Sequence, residues 1–222
     1  MDQAERDFAA ARDCMVDSQV RPNKVYDSRI LTAMRTLPRE KFVPPALAGL
    51  AYLDEDVPLP GGRVLTEPMA IARLMQACAV LEGEQALVVA AGTGYGAALL
   101  AACGAVVTAL ENSPDLLALA RPALAAFAPS VKLVSGSLAE GWAQDTPYDL
   151  ILVDGAVTSF PSALASQLRP RTGRIVGILR DEGGQGRAVV AEVTAAGLRT
   201  QPLFDCNVPL IPELLPKPVF VF

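Results

Sequence analysis

The chain has 222 residues, about half of them hydrophobic, a net charge of −5 and no histidine. Its length suits one domain whose core needs neither disulfides nor metal. The acidic balance, with no basic run, excludes a nucleic-acid footprint, and the missing histidine excludes Ser-His-Asp chemistry and histidine-bound metals. Cys14, Cys78, Cys103 and Cys206 form no CxxC pair and read as reduced thiols in or near the core. The N-terminus is charged from Asp2 to Arg12 and carries no apolar signal core, and no stretch is long enough to span a bilayer. The expected setting is the cytoplasm, with no membrane or nucleic-acid partner and no metal.

In chain order, residues 1 to about 17 read as a helix. Asp27 is an N-cap for a helix over 28–36, which Pro38 ends. After Pro44-Pro45 comes a short helix over 46–51, then a loop over 52–64 rich in acids, proline and glycine. Pro68 suits a helix's first turn, and 69–80 is strongly apolar. From there the pattern alternates. Strands are expected at 87–90, 106–110, 131–134, 149–154 and 174–179, and helices at 94–103, 115–127 and 161–168. Pro122 stands near the middle of the second of these helices or at a break in it. A glycine-rich turn follows at 182–185, and 186–196 satisfies helix and strand equally. Residues 203–208 and 219–222 are the last strand candidates. Alternating strands and helices imply a mostly parallel, doubly wound sheet with right-handed crossovers.

Two features bear on chemistry. The run 86–89 enters the turn Ala90-Ala91-Gly92-Thr93-Gly94-Tyr95-Gly96 and leaves as a helix, which places backbone N–H groups at the carboxyl edge of a strand. Gly92 and Gly94 would let backbone approach a ligand, and Gly96 would let the helix pack closely. The next strand ends in Glu111, where a carboxylate can accept two hydrogen bonds from a ribose diol. Together they point to a cofactor containing a nucleoside. Asp154 ends a strand with an unbroken apolar core and is either a base or orienting group in a cleft or an N-cap-like residue in a loop. Asp17, Asp27 and Asp54-Glu55-Asp56 read as surface acids or caps.

From about Met15 to Leu179 these residues resemble the protein-L-isoaspartate O-methyltransferases. The features that carry this are Pro38-Arg39-Glu40-Lys41-Phe42-Val43-Pro44, Ala51-Tyr52 with Asp54, and Pro58-Leu59-Pro60. Gly62-Arg63-Val64-Leu65-Thr66-Glu67-Pro68 resembles the family's segment G-x-T-I-S-x-P, and Gln167-Leu168 and Gly173-Arg174 match its later pattern. The resemblance implies an α/β, Rossmann-like class I methyltransferase fold with an N-terminal helical extension over 1–60, a cofactor-binding core over 61–185 and C-terminal strands over 186–222.

It implies S-adenosylmethionine as methyl donor, S-adenosylhomocysteine as product, and damaged proteins or peptides bearing isoaspartyl residues as partners, hence protein repair. Thr66 would hold the acceptor. Ala90, Gly92 and Gly94 would lie along the cofactor's methionine side, with Glu111 on the ribose and Ser137 on the adenine edge. The chain departs from the family's E-x-G-x-G-x-G at Val88 and Ala90, and from its G-D-G at Gly136-Ser137-Leu138. Its V-T-A-A becomes Val153-Asp154-Gly155-Ala156. Two other readings therefore stand beside the first. One is a methyltransferase with a different small-molecule or protein acceptor; the other is a non-catalytic relative that has lost the cofactor, with 209–218 as its exposed contact.

Overall fold

The structure is a computed structural model that describes residues 3–181, 184–194 and 197–215. It opens on helix α1 (Gln3–Met15), a wider turn over Val16–Val20, and α2 (Ser28–Thr36). The Asp27 carboxylate caps α2 by accepting from the Arg29 N–H at 2.9 Å. Met15, Val16, Val20, Ile30, Met34 and Phe42 join the same apolar core as the sheet, so this N-terminal part is packed in rather than appended. Arg12 donates to the Tyr52 hydroxyl at 3.0 Å, and Tyr52 donates in turn to Glu40. That chain of bonds ties α1 to the segment over 52–65, in which β1 (Val57–Pro58) and β2 (Val64–Leu65) pair antiparallel.

Helix α3 (Pro68–Cys78) leads into the sheet: β3 (Gln85–Val89), β4 (Val106–Glu111), β5 (Lys132–Ser135), β6 (Leu150–Val157), β7 (Arg174–Leu179), β8 (Arg187–Thr194) and β9 (Gly197–Asp205). Between them lie α4 (Tyr95–Ala102), α5 (Pro114–Phe127) and α6 (Ser162–Ser166). The strand order is β5-β4-β3-β6-β7-β8-β9, parallel from β5 to β7 and antiparallel thereafter. Alternation along β3 sends Ala86 and Val88 into one core layer and Leu87 and Val89 into the other. Helices on both faces explain why this strand reads as continuously apolar. The chain reverses direction of winding at β3, which has β4 on one side and β6 on the other. Ligands of open α/β sheets sit at such a switch point, outside the carboxyl ends of the strands.

Several expectations resolve here. The segment 186–196 is strand through Thr194, because it forms a hairpin with β9 while pairing with β7. Pro122 interrupts nothing: α5 runs through it as one helix. The last described strand covers 197–205, earlier than the expected 203–208. The strand candidate at 219–222 and part of the turn at 182–185 lie outside the described residues. Pro209 and Ile211 are not an exposed contact: the Pro209 carbonyl accepts from Ala156 N–H at 3.3 Å, and Ile211 N–H donates to Ala156 at 2.8 Å. Cys78, Cys103 and Cys206 are buried free thiols, which burial pushes up to about 12, 11 and 12, whereas Cys14 is exposed. Among the described residues no helix is long and apolar enough to cross a membrane, and no His/Cys/Asp/Glu group could hold a metal.

Candidate functional site

The turn after β3 is built on left-handed backbone. Ala90 has φ 61°, Gly92 58° and Gly94 91°. The three glycines of the turn serve different ends. A Cβ on Gly92 would meet only Leu59 Cδ1, at 3.9 Å, so its Cα faces open space at the strand edge. A Cβ on Gly94 would come within 2.9 Å of Leu124, so this glycine seats α4 against α5. On Gly96 it would lie 2.6 Å from Asp154 Oδ2, so that glycine makes room for a carboxylate. Ala90 carries a Cβ in a conformation that glycine adopts without penalty. Ala90→Gly is expected to leave stability within about 1 kcal/mol, since relief of backbone strain offsets the lost methyl and the added chain entropy. Ala90→Val is expected to cost about 2–3 kcal/mol, because a β-branched residue is a poor fit to positive φ. Urea unfolding of the two variants checks the pair, and equal stabilities would contradict it.

Glu111 ends β4 fully buried. Its Oε2 accepts from Gly92 N–H at 2.8 Å, and its Oε1 accepts from Asn112 N–H at 2.9 Å and Ser113 N–H at 3.0 Å. The carboxylate thus joins the glycine turn of β3 to the start of α5, where Ser113 caps the helix. It is no solvated surface acid. Arg63, also buried, lies across it: Nη1 is 3.5 Å from Glu111 Oε2, and Nη2 donates to the Ala90 carbonyl at 2.6 Å. Glu213, in the segment after β9, adds a second carboxylate 3.8 Å from Nη1. The guanidinium therefore bridges the ends of two strands and the closing segment.

Thr66, Ala90, Gly92, Thr93, Tyr95 and Asp154 come together around one small cavity. It has about 10 Å³ of room, which is about one water molecule. The Thr66 hydroxyl makes no hydrogen bond among the described residues, while the Thr66 carbonyl accepts from Arg39 Nη2 at 2.6 Å. Arg39 is completely buried, donates through Nε to the Ala51 carbonyl at 2.6 Å, and stands 5.0 Å from the Tyr95 ring centroid. Thr93 Oγ1, the Tyr95 hydroxyl and Arg39 Nη1 are buried without a hydrogen-bond partner, the last two on side chains that pack against each other. Buried polar atoms are nearly always paired, so orphans beside a cavity point to a ligand. Burial also raises the carboxyl pKa of Asp56 and of Glu67, next to Thr66, and Asp56 accepts from the Glu67 N–H at 2.8 Å.

Of the residues singled out in the sequence, Thr66, Ala90 and Gly92 line this cavity, and Glu111 touches it through the Gly92 N–H. Gly94 faces α5 instead. Ser137 is exposed, two residues beyond Ser135, the β5 partner of Glu111. Sequence reasoning gave no role to Arg39, Arg63, Thr93 or Tyr95. The available signal was weak: a charged residue beside apolar neighbours, as at Arg63-Val64-Leu65, reads equally as surface.

A model of the protein-L-isoaspartate(D-aspartate) O-methyltransferase family matches residues 11–200. The protein-L-isoaspartate O-methyltransferase of Methylorubrum extorquens (strain PA1) is 42% identical over 179 residues, 81% of this chain and 78% of that protein. A solved protein-L-isoaspartate O-methyltransferase matches with a TM-score of 0.77 at 21% identity, covering 91% of this chain and 67% of its own. A Plasmodium falciparum structure assigned to the same activity, in complex with S-adenosyl-L-homocysteine, matches with a TM-score of 0.72 at 17% identity, covering 91% of this chain and 98% of its own. The two structures share the Rossmann-like class I fold described above. By family model and by sequence, the chain belongs to the protein-L-isoaspartate(D-aspartate) O-methyltransferase family.

Proposed function

We propose that this chain transfers a methyl group from S-adenosylmethionine to the side-chain carboxylate of isoaspartyl residues in damaged proteins. The observation that carries the reading is the convergence of Thr66 with the glycine turn at one cavity on the carboxyl edge of the sheet. The donor set suits the cofactor: Gly92 offers an open Cα, Thr93 and Tyr95 offer unpartnered hydroxyls, and Glu111 offers a buried carboxylate. Ala90 and Gly92 would lie along the methionine side and Gly94 would shape the turn. Glu111 would hold the ribose and Ser137 the adenine edge. The cavity itself is small, so admitting a ligand of this size requires Arg63 and the segment around Glu213 to move aside.

When bound, the cofactor supplies an electrophilic methyl on a sulfonium. An acceptor carboxylate is already nucleophilic, so no residue need act as a base, which fits a chain without histidine. The protein's part is alignment and exclusion of water. Arg39 fixes the Thr66 backbone, leaving the Thr66 hydroxyl free to hold the acceptor. Thr66→Ala is expected to lower methyl transfer by about a hundredfold or more while cofactor affinity stays within about twofold. Labelled methyl transfer to an isoaspartyl peptide, with its normal aspartyl isomer as control, reads the first quantity. Calorimetry with S-adenosylmethionine and S-adenosylhomocysteine reads the second. Undiminished transfer by Thr66→Ala would remove the hydroxyl from the reading. No heat from the native protein with either ligand would overturn the cofactor assignment.

One observation favours a second acceptor class. Glu67 follows Thr66 in the chain, Asp56 accepts from the Glu67 N–H, and Asp154 lines the cavity with Thr66, a grouping of acids that suits a neutral or cationic acceptor better than a carboxylate. A screen with labelled donor over amine, hydroxyl and carboxylate acceptors decides between them.

A further inference from the structure

Asp154 is set apart by its surroundings. It lies inside β6, and there β6 bulges: Leu152 pairs with Val176 and Ala156 with Ile178, so three residues of β6 face one of β7. Such irregularities re-aim side chains beside functional sites. Gly155 takes φ 143° within the bulge, and Ile211 packs where its Cβ would be. The redirected Asp154 carboxylate lies against Gly96 and is the one acidic side chain lining the cavity of Gly92 and Thr93 among the described residues. β3 supplies none, since position 88 is a buried valine.

This carboxylate accepts no hydrogen bond from any described residue. The nearby cations bond to other groups, Arg63 to Ala90 and Glu111 and Arg39 to Ala51 and Thr66, and the remaining Arg39 Nη1 is buried with no hydrogen bond to Asp154. Asp154 is half-buried, so its carboxylate is partly removed from water with no protein donor, and a donor entering the cavity would satisfy it. Desolvation pushes its carboxyl up to about 6; Arg63 and Arg39 pull it down, and Glu111 and Asp56 push it further up. A compact cation with several N–H donors, entering next to the glycine turn, is the kind of partner this position suits.

We infer that Asp154 receives the ammonium group at the methionine end of the cofactor. The assignment rests on the cofactor reading above and adds a residue to it. An ammonium brings three donors and a full positive charge, which satisfies both carboxylate oxygens.

The test is calorimetry of native protein, Asp154→Asn and Asp154→Ala with S-adenosylmethionine, S-adenosylhomocysteine and 5′-methylthioadenosine, which lacks the ammonium and carboxylate. Both variants are expected to weaken the first two ligands about ten- to hundredfold and to leave the third within about twofold. Native affinity for S-adenosylhomocysteine should fall as pH drops through about 6, while Asp154→Asn shows no such step. Thermal unfolding controls for the fold. Raised above its ordinary value, the carboxyl destabilises the free protein as pH rises through that interval, so Asp154→Asn should melt no lower than native at pH 8. Equal affinity of native and Asp154→Asn for S-adenosylhomocysteine overturns the assignment. So does an equal loss for all three ligands, which marks a structural role, or a loss for S-adenosylmethionine alone, which puts the carboxylate on the sulfonium. If the native protein binds none of the three, the cofactor reading falls and this assignment with it.

Discussion

Glu111→Ala is expected to destabilise the fold by about 3–5 kcal/mol, because it strands a buried arginine and three backbone donors at once. The guanidinium of Arg63 would keep one partner, the Ala90 carbonyl, and the distant Glu213 carboxylate. The N–H groups of Gly92, Asn112 and Ser113 would lose their acceptor. Against a typical domain stability of about 5–15 kcal/mol, that loss removes a large share of the folded population. Denaturant unfolding measures it, and a cost below about 1 kcal/mol would contradict the burial argument. A double mutant separates charge from shape. Arg63→Met in the Glu111→Ala background should recover part of the loss, since the uncompensated charge is then gone. Cofactor affinity should not recover with it, because the carboxylate proposed for the ribose is still absent.

The second large effect is at Arg39. Replacing it with methionine is expected to cost about 2–4 kcal/mol, since the carbonyls of Ala51 and Thr66 lose their charged donor inside the protein. The loss of its contact with the Tyr95 ring adds to this, while removal of a desolvated charge subtracts from it. Arg39→Lys is expected to rescue little. A lysine presents a point charge, and the two carbonyls, at residues 51 and 66, are spanned here by a planar fork. Methyl transfer should fall further than the folded fraction alone explains, because Arg39 positions the backbone of Thr66. Activity per folded molecule, taken from parallel unfolding and transfer assays, is the deciding quantity. If it stays at the native level, Arg39 acts on stability alone.

How far the sequence shows the site depends on whether each signal is local. Asp27 capping α2 and the buried run of β6 are visible because a cap and a parallel strand each leave a pattern within a few residues. The turn after β3 and the acid ending β4 are visible for the same reason: each sits where a strand ends. The purposes of the three glycines are not. Gly94 answers to Leu124 and Gly96 to Asp154, residues 30 and 58 positions away. Nor could periodicity separate helix from strand over 188–193, where the small apolar residues fit both. The hairpin with β9 settled it, since pairing on both edges outweighs local preference.

The sequence by itself determined the alternation of strands and helices, the glycine turn followed by Glu111, the absence of histidine chemistry and the family resemblance. These follow from composition, periodicity and short motifs, which are properties of neighbouring residues. Tertiary structure decided the rest. It made Glu111 an internal acceptor clasped by Arg63, put Thr66 on the rim of the same cavity as the glycine turn, and turned Asp154 toward that cavity through a bulge. It also left Ser137 in solvent. The physical reason is that burial and pairing of a charge depend on strand register and on segments far apart in the chain. Arg63, Glu111 and Glu213 span 150 residues and meet only once the sheet has formed.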